Sequence, residues 1–172
     1  MTSPSTDDPS PYDPNTLSPS FEHGHADYAE SELLEQARGN SQALILATVA
    51  FLETRDIAPA EWAAAIGETF SAGWGEVRPW DAGEFLDAML TNLRALGAEV
   101  TDAELGVDRA EATIAGFPDL ELCALFGVDP SHAAAIHDAA AAIAAPRGLR
   151  WTWQLEPEGV TRFIVERTEN AG

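Results

Sequence analysis

The order of patterns along the chain predicts an α+β fold. N-terminal helices come first, then a β-hairpin, two helices and a second β-hairpin, the four strands forming one antiparallel sheet packed on helices. Three observations predict it. Apolar residues recur at helical spacing up to residue 96. The period then changes to two in two short paired stretches, 98–115 and 149–168. Between them, Asp129-Pro130 opens an alanine tract that Pro146 closes, an N-cap and first-turn proline before strong helix formers.

Residues 1–26 carry Pro4, Pro9, Pro11, Pro14 and Pro19 among Ser, Thr and Asp, a composition too polar to offset its ordering entropy. They read as a disordered acidic tail ahead of a single α+β domain over residues 27–169. Asp27 is placed to cap a helix carrying Leu33, Leu34 and Ala37. Arg38-Gly39-Asn40 either ends that helix or merely interrupts one running to Thr54, since an interior glycine costs only about 1 kcal/mol. Residues 41–54, SQALILATVAFLET, have almost no polar surface. A helix apolar nearly all round needs neighbours on most sides, so this segment is expected at the centre of the core. Its small-residue seam, Ala43, Ala47 and Ala50, is where a second subunit or a ligand would approach.

Pro59 opens another helix on which Trp62, Ile66, Phe70 and Trp74 recur every four residues. An aromatic stripe at helical spacing reads first as core and second as the wall of an apolar pocket. Trp74 and Trp80 would then bracket a loop able to fold over a ligand. Asp81-Ala82-Gly83-Glu84 resembles a capping box before the broad apolar face of Phe85, Leu86, Met89, Leu90, Leu93 and Leu96, which ends at Gly97.

The first hairpin pairs residues 98–104 with 109–115 around Leu105-Gly106-Val107-Asp108; its alternation is clearest in Ala110, Ala112 and Ile114. A short helix from Asp119 bears Leu120, Leu122, Cys123, Leu125 and Phe126, and the alanine helix covers residues 132–145. In the last hairpin, Leu149, Trp151, Trp153 and Leu155 alternate with polar residues. The inward face of its partner, 160–168, is ambiguous, because either phase mixes polar and apolar residues.

Composition excludes several functions. Asp and Glu number 29 against nine basic residues, all arginine, for a formal charge of −20. Phosphate backbones and anionic membranes need a concentrated cationic face, so no nucleic acid and no membrane partner is expected. The longest apolar run, 43–52, falls short of the roughly 20 residues a bilayer span requires. No secretory signal is recognisable, and a cytoplasmic protein is expected. The single cysteine, Cys123, excludes an internal disulfide and a multi-thiolate zinc site.

Chemistry-bearing residues are sparse. His23 and His25 form an H-x-H pair in the tail, too few ligands for a supported metal site. Cys123 sits in an apolar turn and reads as an inert thiol. His132 and His137 are five apart, about 140° round a helix, so one helix cannot present both to one metal, and at least one is expected at the surface. His132 shares a face with Ile136, Ala139 and Ile143. Glu61 and Glu68 fall on similar helical faces but read equally well as solvated. No phosphate loop, nucleophile elbow or H-E-x-x-H motif is present, and the lack of lysine removes Schiff-base chemistry. No catalytic set, metal or cofactor is therefore assigned.

In element order, residues 28–168 resemble the 4-vinyl-reductase-type ligand-binding domains, which place helices between two β-hairpins. That family often carries cysteines around its final hairpin; the corresponding segment here, GLRWTWQLEPEGVTRFIVERTE, has none, so no metal site carries over. The resemblance implies a small apolar-ligand or sensor domain, often dimeric. The expected function is accordingly a non-enzymatic, dimeric small-molecule-binding or sensor-like domain, its apolar or aromatic ligand lined by Trp62, Phe70, Trp74, Trp80, Trp151 and Trp153. One alternative is a small hydrolase or isomerase-like enzyme with His132 or His137 as acid/base and Arg150 or Arg162 holding an anionic substrate. Another is a structural or interaction protein whose partner covers the alanine-rich helix.

Overall fold

The computed structural model describes residues 29–75 and 77–168; the proline-rich tail, with Asp27 and its H-x-H pair, lies outside them. Residues that left one helix or two open form a single helix, α1 (Glu30–Glu53). Ala29 is its N-cap, and the Ala29 amide donates to the Glu32 carboxylate at 2.8 Å. Next come α2 (Pro59–Gly73) and α3 (Ala82–Ala95), then strands β1 (Glu99–Leu105) and β2 (Arg109–Ala115). Two short helices follow, α4 (Leu120–Phe126) and α5 (Pro130–Ala134). A 3-10 turn (Ala135–Asp138) and α6 (Ala139–Ala144) lead to β3 (Leu149–Leu155) and β4 (Thr161–Arg167). The fold is α+β. Its four strands run antiparallel in the order β1-β2-β4-β3, so the second hairpin joins the first through β4.

The core is centred on α3. Phe85, Leu86, Leu90 and Leu93 are buried against Ala110, Ala112 and Ile114 of β2, Phe163 and Val165 of β4, and Leu149 and Trp151 of β3. The ambiguous strand thus resolves with Thr161, Phe163 and Val165 inward, the phase that puts a phenylalanine and a valine under α3. Alternation in β1 is weak because its register with β2 shifts between Val100 and Asp102; a bulge breaks the two-residue period. The opposite face of the sheet is solvated and carries Arg109, Glu111, Arg150, Arg162 and Glu166 in a cross-strand ion-pair network.

Three expectations change. α1 is not the centre of the core: it lies at the periphery, burying Gln42, Leu46, Val49 and Leu52 while Leu44 and Phe51 stay exposed. Leu46 and Val49 belong to a second cluster with Cys123, Val128 and Ala133. The alanine seam divides, Ala47 facing solvent and Ala50 packing on that cluster. The capping box at Asp81 does not form. Asp81 makes no side-chain cap bond, and Glu84 pairs with Arg78 at 3.3 Å. The α3 amides of Ala82 and Gly83 donate instead to the Val107 and Gly106 carbonyls at the tip of the first hairpin, at 2.9 and 2.8 Å. The alanine helix is not continuous either, since the 3-10 turn interrupts it at Ala135–Asp138.

Candidate functional site: an apolar pocket around His137

Small residues create the pocket. On α2 the buried positions are Ala63 and Gly67, not the aromatic stripe, and a Cβ at Gly67 would lie 2.3 Å from the Ala139 carbonyl oxygen. Backbone therefore meets backbone where α2 crosses α6. Between α2, α3, the 3-10 turn and α6 there remains a cavity of about 570 Å³. Ile66, Thr69, Phe70 and Trp74 line it from α2 and its C-cap, and Met89, Asn92, Leu93 and Leu96 from α3 and its C-cap. Phe117, Ile136, His137, Ala140, Ile143 and Trp151 also line it.

His137 is the buried polar member of the lining, 4% exposed. Its ring meets Phe117, Trp153 and Phe163 edge-on at centroid distances of 5.3, 5.4 and 4.9 Å. Burial alone pushes its imidazole down to about 3, because nothing around the ring compensates a positive charge. It is neutral near pH 7. Nε2 of His137 and Nε1 of Trp151 are both buried without a hydrogen-bond partner among the described residues. By contrast, the Trp153 Nε1–H donates to Asp138 at 2.7 Å. Orphaned buried nitrogens are uncommon and call for an explanation.

Of the six aromatic residues expected at a ligand, Phe70, Trp74 and Trp151 line this cavity. Trp62 packs on the second cluster with Leu46 and Val49. Trp80 stands behind the wall, 6.0 Å from Trp74 and 6.3 Å from Phe85, and Trp153 packs against His137 outside the lining. His132 is elsewhere, half exposed and 2.5 Å from the Glu53 carboxylate. Arg150 and Arg162 sit on the solvated face of the sheet, paired with Glu166 and Glu111, so neither meets a histidine. Glu61 and Glu68 are exposed. Cys123 is 1% exposed, and burial pushes its thiol up, as for an inert cysteine. Sequence reasoning missed Met89, Asn92, Phe117 and Ile136, whose shared cavity depends on where α2 and α3 diverge. Gly67 was the available signal, a glycine inside an apolar helix.

A larger cleft, about 830 Å³, is rimmed by Arg78, Asp108, Arg147 and Arg167. Its buried cation is already engaged. Arg147 donates to the Ile143 and Trp74 carbonyls at 2.7 and 3.3 Å, where α6 and α2 end, so helix C-termini supply its counter-charge. Among the described residues no group of three or more His, Cys, Asp or Glu side chains could hold a metal ion, and no helix is long and apolar enough to cross a membrane. Compared with protein-family models, curated proteins and solved structures, the chain matches none.

Proposed function

We propose that the domain is a non-enzymatic binding or sensor module for a small apolar or aromatic molecule bearing one hydrogen-bonding group. The observation that carries this is the cavity of about 570 Å³ with a largely apolar wall, two of whose residues, His137 and Trp151, each hold a buried ring nitrogen without a partner. Such a wall with a few polar groups is the usual composition of a ligand site. A carbonyl or hydroxyl would accept from the Trp151 Nε1–H and engage neutral His137. Both nitrogens are covered by neighbouring atoms, so the ligand reaches them by displacing side chains of the wall.

Binding is favoured over catalysis because the one histidine in the cavity titrates near 3. That is far below the working pH at which a general acid or base is effective. The reading of a partner laid over the alanine helix loses its surface: Ala133, Ala134, Ala139, Ala140 and Ala144 are already buried within the chain. Tryptophan fluorescence tests the proposal, since Trp74 and Trp151 are both in the wall. Titration with indole, benzoate and medium-chain fatty acids is expected to give a saturable change with at least one, abolished by filling the cavity in Ala140→Phe. If emission stays flat across the panel and native mass spectrometry of protein from its own host finds no retained small molecule, the proposal fails.

A further inference from the structure

α1 has two apolar faces, and the fold uses one. Its inward positions, Gln42, Leu46, Val49 and Leu52, are buried. On the opposite side Leu33, Ala37, Asn40, Leu44, Ala47 and Phe51 follow one another at alternating spacings of four and three, and all six are exposed. Leu44 is 70% exposed, Leu33 55% and Phe51 54%. That alternation is the seam of a two-stranded coiled coil, with Ala37, Leu44 and Phe51 in one of its two core positions and Leu33, Asn40 and Ala47 in the other. A solvated face has no reason to keep this order.

We infer that the seam pairs with a second copy of the same chain, the two α1 helices lying antiparallel about a two-fold axis level with Gln42. Numbering makes the seam self-complementary. Leu33 then faces Phe51 of the second copy, Ala37 faces Ala47, and Asn40 faces Leu44. The alanine layers let the backbones approach, and the large residues close the two ends over a helix of 24 residues, about 36 Å long. Charge selects this direction. A parallel pair would bring Glu30, Glu32 and Glu35 against their own copies and align the helix dipoles. Antiparallel pairing sets Arg55, stacked on Phe51 at 5.2 Å, beside Glu30 of the second copy. At the same end Glu53 is engaged by His132 of its own subunit at 2.5 Å, which leaves Arg55 to meet the acidic start of the second helix. The contact lies across α1 from the domain interior and does not depend on what the cavity holds.

Sedimentation equilibrium of the full chain is expected to give twice the chain mass at micromolar concentration. Leu44→Glu is expected to weaken the dimer more than about tenfold, by burying a carboxylate in the seam. Its circular dichroism should stay unchanged, because Leu44 is exposed within its own subunit. Direction is read by oxidising Ala37→Cys and Ala47→Cys variants separately and as a mixture; the native Cys123 is buried and does not compete. The mixture should form the disulfide dimer and neither variant alone. A monomeric full chain, or a dimer that Leu44→Glu leaves intact, overturns the pairing. Disulfides in the separate variants overturn its antiparallel direction.

Discussion

His137 sits edge-on to three aromatic rings with no charge beside it, and this makes it an acid-sensitive weak point. Its pKa falls from 6.5 to about 3 on folding, so between those values the unfolded chain binds the extra proton. Stability therefore rises with pH across the window and is lost as pH falls from about 6.5 towards 3. The difference of 6.5 − 3 units corresponds to at most about 5 kcal/mol. Glu111 and Glu166, held below the usual carboxylate range by hydrogen bonds from Arg162 and Arg150, act only below about pH 4.5, the ordinary value. Urea titrations at pH 7, 5.5 and 4.5 should thus show a steady loss in the wild type that His137→Phe largely removes; an unchanged slope would refute the assignment. Gln42 is a second buried polar side chain, and it joins several elements. Its Nε2 donates to the Leu96 and Gly116 carbonyls at 2.9 and 3.0 Å, and its Oε1 accepts from the Asp119 amide at 3.1 Å. One side chain ties α1 to the ends of α3, β2 and α4. Gln42→Leu keeps the bulk and orphans three backbone groups, an expected loss of about 2–4 kcal/mol in chemical denaturation.

Two glycines inside helices separate conformational cost from packing. Gly39 of α1 has open space where a Cβ would go, so Gly39→Ala should stabilise by up to about 1 kcal/mol. Gly67 of α2 has the Ala139 backbone there, so Gly67→Ala should cost about 2 kcal/mol or more through overpacking and spread the walls of the cavity. Thermal melts of the two variants shifting the same way would contradict this account. The pair also marks what the sequence could convey. Local patterns sufficed for the apolar face of α3 and for β3, where Leu149 and Trp151 turn inward as their alternation requires. They misled for α1 and α2, since periodicity reports that a face is apolar but not which neighbour covers it. The aromatic stripe on α2 was easy to see, yet the helix docks through Ala63 and Gly67, and Phe70 is left largely exposed at the cavity. The 3-10 turn that carries His137 inward falls where Ile136-His137-Asp138 interrupts the alanine tract, a break that helix propensity alone does not read as a change of pitch.

For the whole molecule, the formal charge of −20 sets how folding and association respond to salt. The described ion pairs have at least one exposed partner side chain and contribute little each, whereas self-repulsion acts on the whole compact state and would grow further where two such chains associate. Raising sodium chloride from low to physiological strength and beyond should raise the melting temperature and tighten the proposed dimer, the opposite of an assembly held by surface ion pairs. Calorimetry and sedimentation across a salt series would detect either sign. Three of the aromatic residues that the sequence singled out, Phe70, Trp74 and Trp151, line the cavity. Its other walls come from α3, Phe117 and the segment from Ile136 to Ile143, which only the tertiary arrangement brings together. That arrangement has a temporal side. The first two amides of α3 are held by carbonyls at the hairpin tip, from residues 106 and 107, so helix and hairpin each lack a partner until the other is in place. In hydrogen exchange, the amides of Ala82 and Gly83 should open together with those of β1 and β2, as one cooperative unit, and not fray early as helix starts ordinarily do.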